Sequence, residues 1–315
     1  MRNTFIYREL SATVNIASDM KELKNGDLCV QLHEPGDGFY RGTRFDYSGV
    51  FAGVQYRGIE FCAPWYERYD PFMHDAVLGP AEEFSPIFLP LCHTEAPQGP
   101  SVSHTILKIG VGLLKADSAP YDRFHLYEII DPGEWTVEQE ADTVRFTHIV
   151  RGYYKYVKEV RLLGGNSFEI SHALTAEVPL EGDVYNHNFF TLGLLSVGPG
   201  RCIDFPFHAS GDWRAPYDSV ALTPQGFRFS RTLQKGESVY MGNIRAKTQG
   251  TPYELTIRET GLEGITPTVH VHGSVPIDHC VMWSNHRISC IEPYNTFSID
   301  PGQTHHWSLR YTIDL

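Results

Sequence analysis

The chain has 315 residues, 42% of them apolar and 13% aromatic, with a formal net charge of −12. That size and apolar share allow a sizeable core, in one large β domain or two smaller units. The acidic balance argues against nucleic acid and anionic membrane surfaces as partners. The six cysteines (Cys29, Cys62, Cys92, Cys202, Cys280, Cys290) are scattered, without a Cys-x-x-Cys pair. They read as buried free thiols in a reducing compartment rather than as disulfides or a zinc knot. With no apolar leader and no membrane-length run, a cytoplasmic protein, monomeric or homodimeric, is the expectation.

In chain order, a short helix is predicted after Ser18 as N-cap, over Asp19–Asn25, stopping at Gly26 as a left-handed C-cap. Arg44 and Asp46 are two apart, so on a strand they share a face. There they either grip substrate hydroxyls or an anionic group, or form a cross-strand ion pair. Glu82 and Glu83 are adjacent and face opposite sides if the segment is extended. From Trp135 onward the pattern alternates with period two: Trp135–Gln139, Thr143–Ile149, Tyr154–Leu162, a Gly164-Gly-Asn turn, Ser167–Leu174, Phe227–Thr232 and Tyr253–Glu259. Long strands at short intervals with few helix signals predict an all-β chain of antiparallel sheets packed face to face. No linker, charge block or repeat divides it, so one domain over residues 1–315 is expected.

Two residues stand out chemically. Glu292 follows the apolar Ile291 and precedes Pro293, and a carboxylate at the end of an apolar strand is costly unless it faces a cleft or a partner. His187 lies in Asp183-Val-Tyr-Asn-His-Asn-Phe-Phe190, between two asparagines and ahead of two aromatics. A histidine and a carboxylate are the minimum set for concerted acid–base work. His270 and His272 share a strand face in Val269-His-Val-His-Gly273, but no third ligand at a recognisable spacing completes a metal set. Thr304-His-His-Trp307 reads as sheet surface. Gly110-Val-Gly112 and Gly164-Gly165 lack the strand-to-helix context of a phosphate loop. No metal or cofactor is expected.

These residues resemble the galactose mutarotase (aldose 1-epimerase) superfamily. His187-Asn-Phe-Phe is similar to the motif that carries its catalytic acid. Ile291-Glu-Pro, with Ile299-Asp-Pro-Gly-Gln and Trp307 after it, is similar to its C-terminal signature, which supplies the base. The resemblance implies the antiparallel β-supersandwich fold, a small sugar as substrate, and His187 and Glu292 as the catalytic pair. Val77-Leu-Gly-Pro-Ala-Glu-Glu-Phe84 resembles the family's Gly-Arg-x-x-Asn-Arg-Ile stretch, with Glu82 and Glu83 in place of Asn-Arg. Leu107-Lys-Ile-Gly110 puts Lys108 where a substrate-binding histidine is usual. Arg44, Glu82, Glu83, Lys108 and the aromatic Trp283 are thus the candidate substrate-binding residues. The departures imply a sugar other than plain galactose or glucose. A sugar-binding protein without turnover, and a glycosidase or polysaccharide lyase using Tyr185 beside His187, are the competing readings.

Overall fold

The computed structural model describes residues 20–89, 105–117, 120–193, 196–247 and 250–315. Among these residues there is no helix, and every strand pairing is antiparallel. A ten-stranded sheet runs Glu134–Gln139, Thr143–Val150, Tyr154–Gly164, Ser167–Ala176, Thr304–Asp314, Thr268–Gly273, Glu254–Glu259, Arg201–Asp204, Gly226–Phe229 and Val220–Thr223. A six-stranded sheet runs Ala209–Trp213, Ser238–Ala246, His279–Asn285, Ser289–Ile299, Leu180–Phe189 and Gly79–Phe84. Two four-stranded sheets complete the described part: one over residues 21–60, the other of Ile87–Leu89, Thr105–Lys108, Gly112–Lys115 and Ile129–Asp131.

The alternation predicted for the central strands is physical. Ser167–Ala176 buries every second residue, placing Phe168, Ile170, Leu174 and Ala176 inside. Tyr154–Gly164 sends Tyr154, Tyr156, Val160 and Leu162 the same way. The Gly164-Gly-Asn turn joins these two strands, and Gly164 and Gly165 take the left-handed φ values of 91° and 63° that such a turn asks for. Aromatic faces from both large sheets meet inside, as where Phe84 contacts Tyr156 and Trp307.

Three expectations are corrected. The Asp19–Asn25 helix is instead a strand, Lys21–Asn25, paired to Leu28–His33 with Leu23 opposite Val30. Gly26 is left-handed, at φ 57°, but it turns a hairpin with Asp27 rather than capping a helix. A helix cap and a tight hairpin demand the same backbone of glycine, and the buried Leu23 side chain decides for the sheet. Ser18 and Asp19 lie outside the described residues, as does Cys92. Arg44 and Asp46 belong to no strand and do not share a face: they enter different clusters. Trp307 is core rather than surface, stacked on His172 at 4.5 Å between ring centres. The five described cysteines are free thiols.

The inward set of Tyr154–Gly164 includes one cation, Lys158, 2% exposed. It donates to Glu82 of Gly79–Phe84 and lies 3.7 Å from Asp46. His172 Nε2 is 3.2 Å from the other Glu82 oxygen, and the Tyr156 hydroxyl donates to Asp46 at 3.1 Å. Burial alone would raise Glu82, but Lys158 and His172 outweigh it and pull its pKa down to about 2. Asp46 is farther from the ammonium. Burial dominates there and, with Glu82 nearby, pushes it up to about 6 against the pull of Lys158 and Ser48.

Removing the single cation strands two buried carboxylates. Lys158→Met is expected to cost about 3–5 kcal/mol in urea unfolding, with much of the loss recovered in Lys158→Met/Glu82→Gln. An equal loss in the single and double variants would contradict the pairing. The two acids have opposite pH signatures. Glu82, depressed in the fold, contributes stability above its unfolded pKa that is lost as pH falls toward about 2. Asp46, raised in the fold, disfavours the fold above about 6 and is relieved as it protonates below that. The stability advantage of Asp46→Asn over wild type should therefore shrink between about pH 7 and about pH 5. A constant difference would refute the assignment.

Candidate functional site

The site forms where the Leu180–Phe189 strand changes partners. Its first half pairs with Ser289–Ile299 as far as Tyr185 opposite Tyr294, and its second half pairs with Gly79–Phe84. Pro293 has no N–H to give, so the ladder to Ser289–Ile299 stops beside it and resumes as a lone bridge between Phe190 and Ser289. Asn188 fills part of the gap by donating to the Ile291 carbonyl at 2.9 Å. His187 and Glu292 stand across this interruption.

Period-two geometry then sorts the side chains. Tyr185, His187 and Phe189 share one face, as do Cys290, Glu292 and Tyr294 on the neighbouring strand. Glu83, opposite Tyr185, joins them, whereas Glu82, opposite Asn186, faces the inter-sheet cluster. His187 Nδ1 lies 3.3 Å from Glu292 Oε1, and its Nε2 lies 3.2 Å from Glu83 Oε2. The ring is 1% exposed. Phe45 meets it edge-on at 4.9 Å, and Phe189 stacks on it at 5.3 Å with Trp65 behind at the same spacing. Trp283 abuts Trp65 at 5.7 Å.

Arg44 supplies the main counter-charge: its Nε donates to Glu83 Oε2 at 2.6 Å, and it lies within the field of Glu292. Burial opposes charge on Glu83, but Arg44, then His187 and Lys108, hold its carboxyl well below the usual carboxylate range. Arg44 is placed by an irregular segment pinned on both sides of it, on the N-terminal side by Arg41 N donating to the Pro71 carbonyl at 2.7 Å. Asp46 N donates to the Glu82 carbonyl at 2.9 Å and Tyr47 N to the Gly110 carbonyl at 3.0 Å. A Cβ on Gly110 would stand 2.3 Å from Asp46 Oδ1, so the close approach requires glycine.

Lys108 is fully buried, donating to the Phe84 carbonyl below Tyr121. Burial, with Arg44 and Arg123 adding to it against Glu83, lowers its ammonium to about 8. It acts on the site through its charge on Glu83, without a surface for substrate in this conformation. Of the sequence candidates, His187, Glu292, Glu83, Arg44 and Trp283 lie on or against one face. Glu82 lies on the other, and its expected contact with substrate is corrected by that alternation. The sequence reading missed Arg123, whose Nε is 3.9 Å from Glu83 Oε1 and whose guanidinium sits 5.5 Å over Tyr185. It also missed Tyr294, stacked on Tyr185 at 4.1 Å. Arg123 sits in a loop, where spacing carries no facial information. Tyr294 was readable as Glu292 plus two. Burial and then Glu83 push the Tyr185 phenol well up, which disfavours it as a lyase base. A groove of about 420 Å³ is lined by Tyr40, Arg41, Tyr47, Phe72, Leu126 and Tyr127 rather than by His187.

No protein-family profile matches the chain, and no curated protein matches it. Solved structures do. A protein from Escherichia coli K12, provisionally described as an aldose 1-epimerase, superposes with a TM-score of 0.55 at 13% identity, covering 94% of this chain and 98% of its own. A galactose mutarotase related enzyme from Lactobacillus acidophilus gives 0.52 at 11%, covering 94% and 97%. The aldose epimerase homologue from C. elegans gives 0.51 at 13%, covering 95% and 99%. The chain has the antiparallel β-sandwich fold of the galactose mutarotase-like proteins.

Proposed function

We propose that the chain is an aldose 1-epimerase-like enzyme in which His187 and Glu292 exchange protons with the anomeric centre of a sugar. The observation that supports this is their separation of 3.3 Å on one sheet face. The ring oxygen and the anomeric hydroxyl of an aldopyranose share one carbon, so two groups this close can address both. His187 gives a proton to the ring oxygen while Glu292 takes the proton of the anomeric hydroxyl. The bond from C1 to the ring oxygen breaks, C1 becomes a carbonyl, and rotation about C1–C2 presents its other face. Reversal of both transfers closes the second anomer, leaving enzyme and proton count unchanged.

Glu83, 3.2 Å from Nε2, places a negative charge beside the His187 ring, and Arg44 keeps Glu83 charged. Phe45 covers the imidazole, so the sugar reaches it when Phe45 moves aside with the irregular segment that carries it. Arg123 is 41% exposed at its side chain, within reach of both Glu83 and open solvent, and fits the role of holding substrate. A second reading, a sugar-binding protein without turnover, is favoured by the burial of His187 beneath Phe45.

Exchange between anomers, followed by polarimetry on an accepted aldose, discriminates the two. His187→Ala and Glu292→Gln should each slow it by at least ~100-fold. Saturable sugar binding with no acceleration by the wild type would select the binding protein. Arg123→Ala is expected to raise KM about tenfold or more, as for loss of a hydrogen bond from a charged donor, while kcat changes little. A fall confined to kcat would remove Arg123 from substrate holding.

A further inference from the structure

The face that carries His187 also holds a thiol that proton transfer does not use. Cys290 and Glu292 are two apart on Ser289–Ile299, so both lie on the face that carries His187. One donor atom from each of the three, an imidazole nitrogen, a thiol sulfur and a carboxylate oxygen, lie within 4.8 Å of one another. All three residues are buried.

The imidazole itself supplies an independent sign. Both of its nitrogens are buried, and neither makes a well-formed hydrogen bond. Their distances to Glu83 and Glu292, 3.2 and 3.3 Å, exceed the roughly 2.7–2.9 Å of a charge-assisted bond. A neutral imidazole donates from one nitrogen only. In the neutral ring with Nε2–H toward Glu83, the Nδ1 lone pair faces a Glu292 oxygen, two electron-pair donors across a gap that a cation would fill. Zinc bonds to nitrogen and oxygen of about 2.0–2.1 Å give a tetrahedral N–O edge of about 3.3–3.4 Å, which is the His187–Glu292 spacing. The Cys290 sulfur, within 4.8 Å of both, closes toward the edge of about 3.6 Å that a Zn–S bond of about 2.3 Å sets. A carboxylate behind the second ring nitrogen is the usual support of a metal-bound histidine, and Glu83 stands there, itself anchored by Arg44 at 2.6 Å.

We propose that His187, Cys290 and Glu292 form a three-ligand site for a borderline divalent ion of the Zn2+ class. Thiolate and imidazole select such ions over Mg2+ and Ca2+. The fourth position is left to water or a substrate hydroxyl. Binding transfers the Cys290 thiol proton to solvent and engages the Nδ1 lone pair and a Glu292 oxygen. The metal-bound state is therefore closed to the proton exchange proposed above, and Zn2+ acts as an inhibitor of it.

The test is titration of the purified full-length protein, stripped of metal, with Co2+ and then Zn2+. The expected result is a near-ultraviolet thiolate-to-cobalt band with tetrahedral visible bands, both bleached by one equivalent of Zn2+. Cys290→Ser should lose the near-ultraviolet band and bind Zn2+ at least ~10-fold more weakly, the lower bound seen even for outer partners of a ligand. Cys202→Ser, whose thiol lies elsewhere, should keep both, and circular dichroism of Cys290→Ser should match wild type. An octahedral cobalt spectrum without a thiolate band, or equal Zn2+ affinity in wild type and Cys290→Ser, overturns the site. Exposed histidines such as His270 and His272 would give that outcome. Because the readout is metal binding, its failure leaves the proton-transfer reading of His187 and Glu292 standing.

Discussion

Two adjacent carboxylates that cannot share a cation organise the middle of this molecule. Extended backbone turns Glu82 and Glu83 to opposite faces of Gly79–Phe84, and both are 1% exposed. Each therefore needs its own counter-charge in a low-dielectric setting, where an isolated carboxylate is prohibitive. Lys158 meets Glu82 between the two large sheets, and Arg44 meets Glu83 on the opposite face. One pair cements the sandwich, and the other lies in the candidate site.

From that division the site follows. Glu83 is ionised because Arg44 is beside it, and the charged Glu83 lies 3.2 Å from His187 Nε2. The other ring nitrogen, Nδ1, lies 3.3 Å from Glu292 across the ladder gap beside Pro293, the pair to which the proposed proton exchange is assigned. The segment that supplies Arg44 also supplies Asp46 to the inter-sheet cluster and Phe45 as the cover over the imidazole. The movement of Phe45 that the proposed chemistry requires thus works against backbone anchors at Arg41 and Asp46 on either side of it.

The fold was legible wherever burial repeats every second residue, as in Ser167–Ala176, because alternation records which face meets the core. It was misread at Lys21–Asn25, where the lone buried Leu23 gives no period and Gly26 serves a hairpin as readily as a helix end. His187 and Glu292 could be picked out because polar residues on apolar strands need a reason, and the structure brings them together. Lys158 had the same signature, a cation in phase with Tyr154, Tyr156 and Val160, and was passed over as part of an ordinary alternation. Arg44 was found, but its pairing with Asp46 failed because a two-residue spacing means a shared face only on a strand. Arg123 could not be found at all: loop residues reach a site through the path of the chain, which no local pattern encodes.

The proposed proton exchange requires an aldose to sit between His187 and Glu292. A crystal structure of Glu292→Gln soaked with an accepted sugar tests it most directly. The prediction is a ring oxygen within hydrogen-bond distance of His187, an anomeric hydroxyl at residue 292, and Phe45 displaced from the imidazole. A sugar bound in the groove between Tyr40 and Tyr127, with Phe45 still closed over His187, would contradict it.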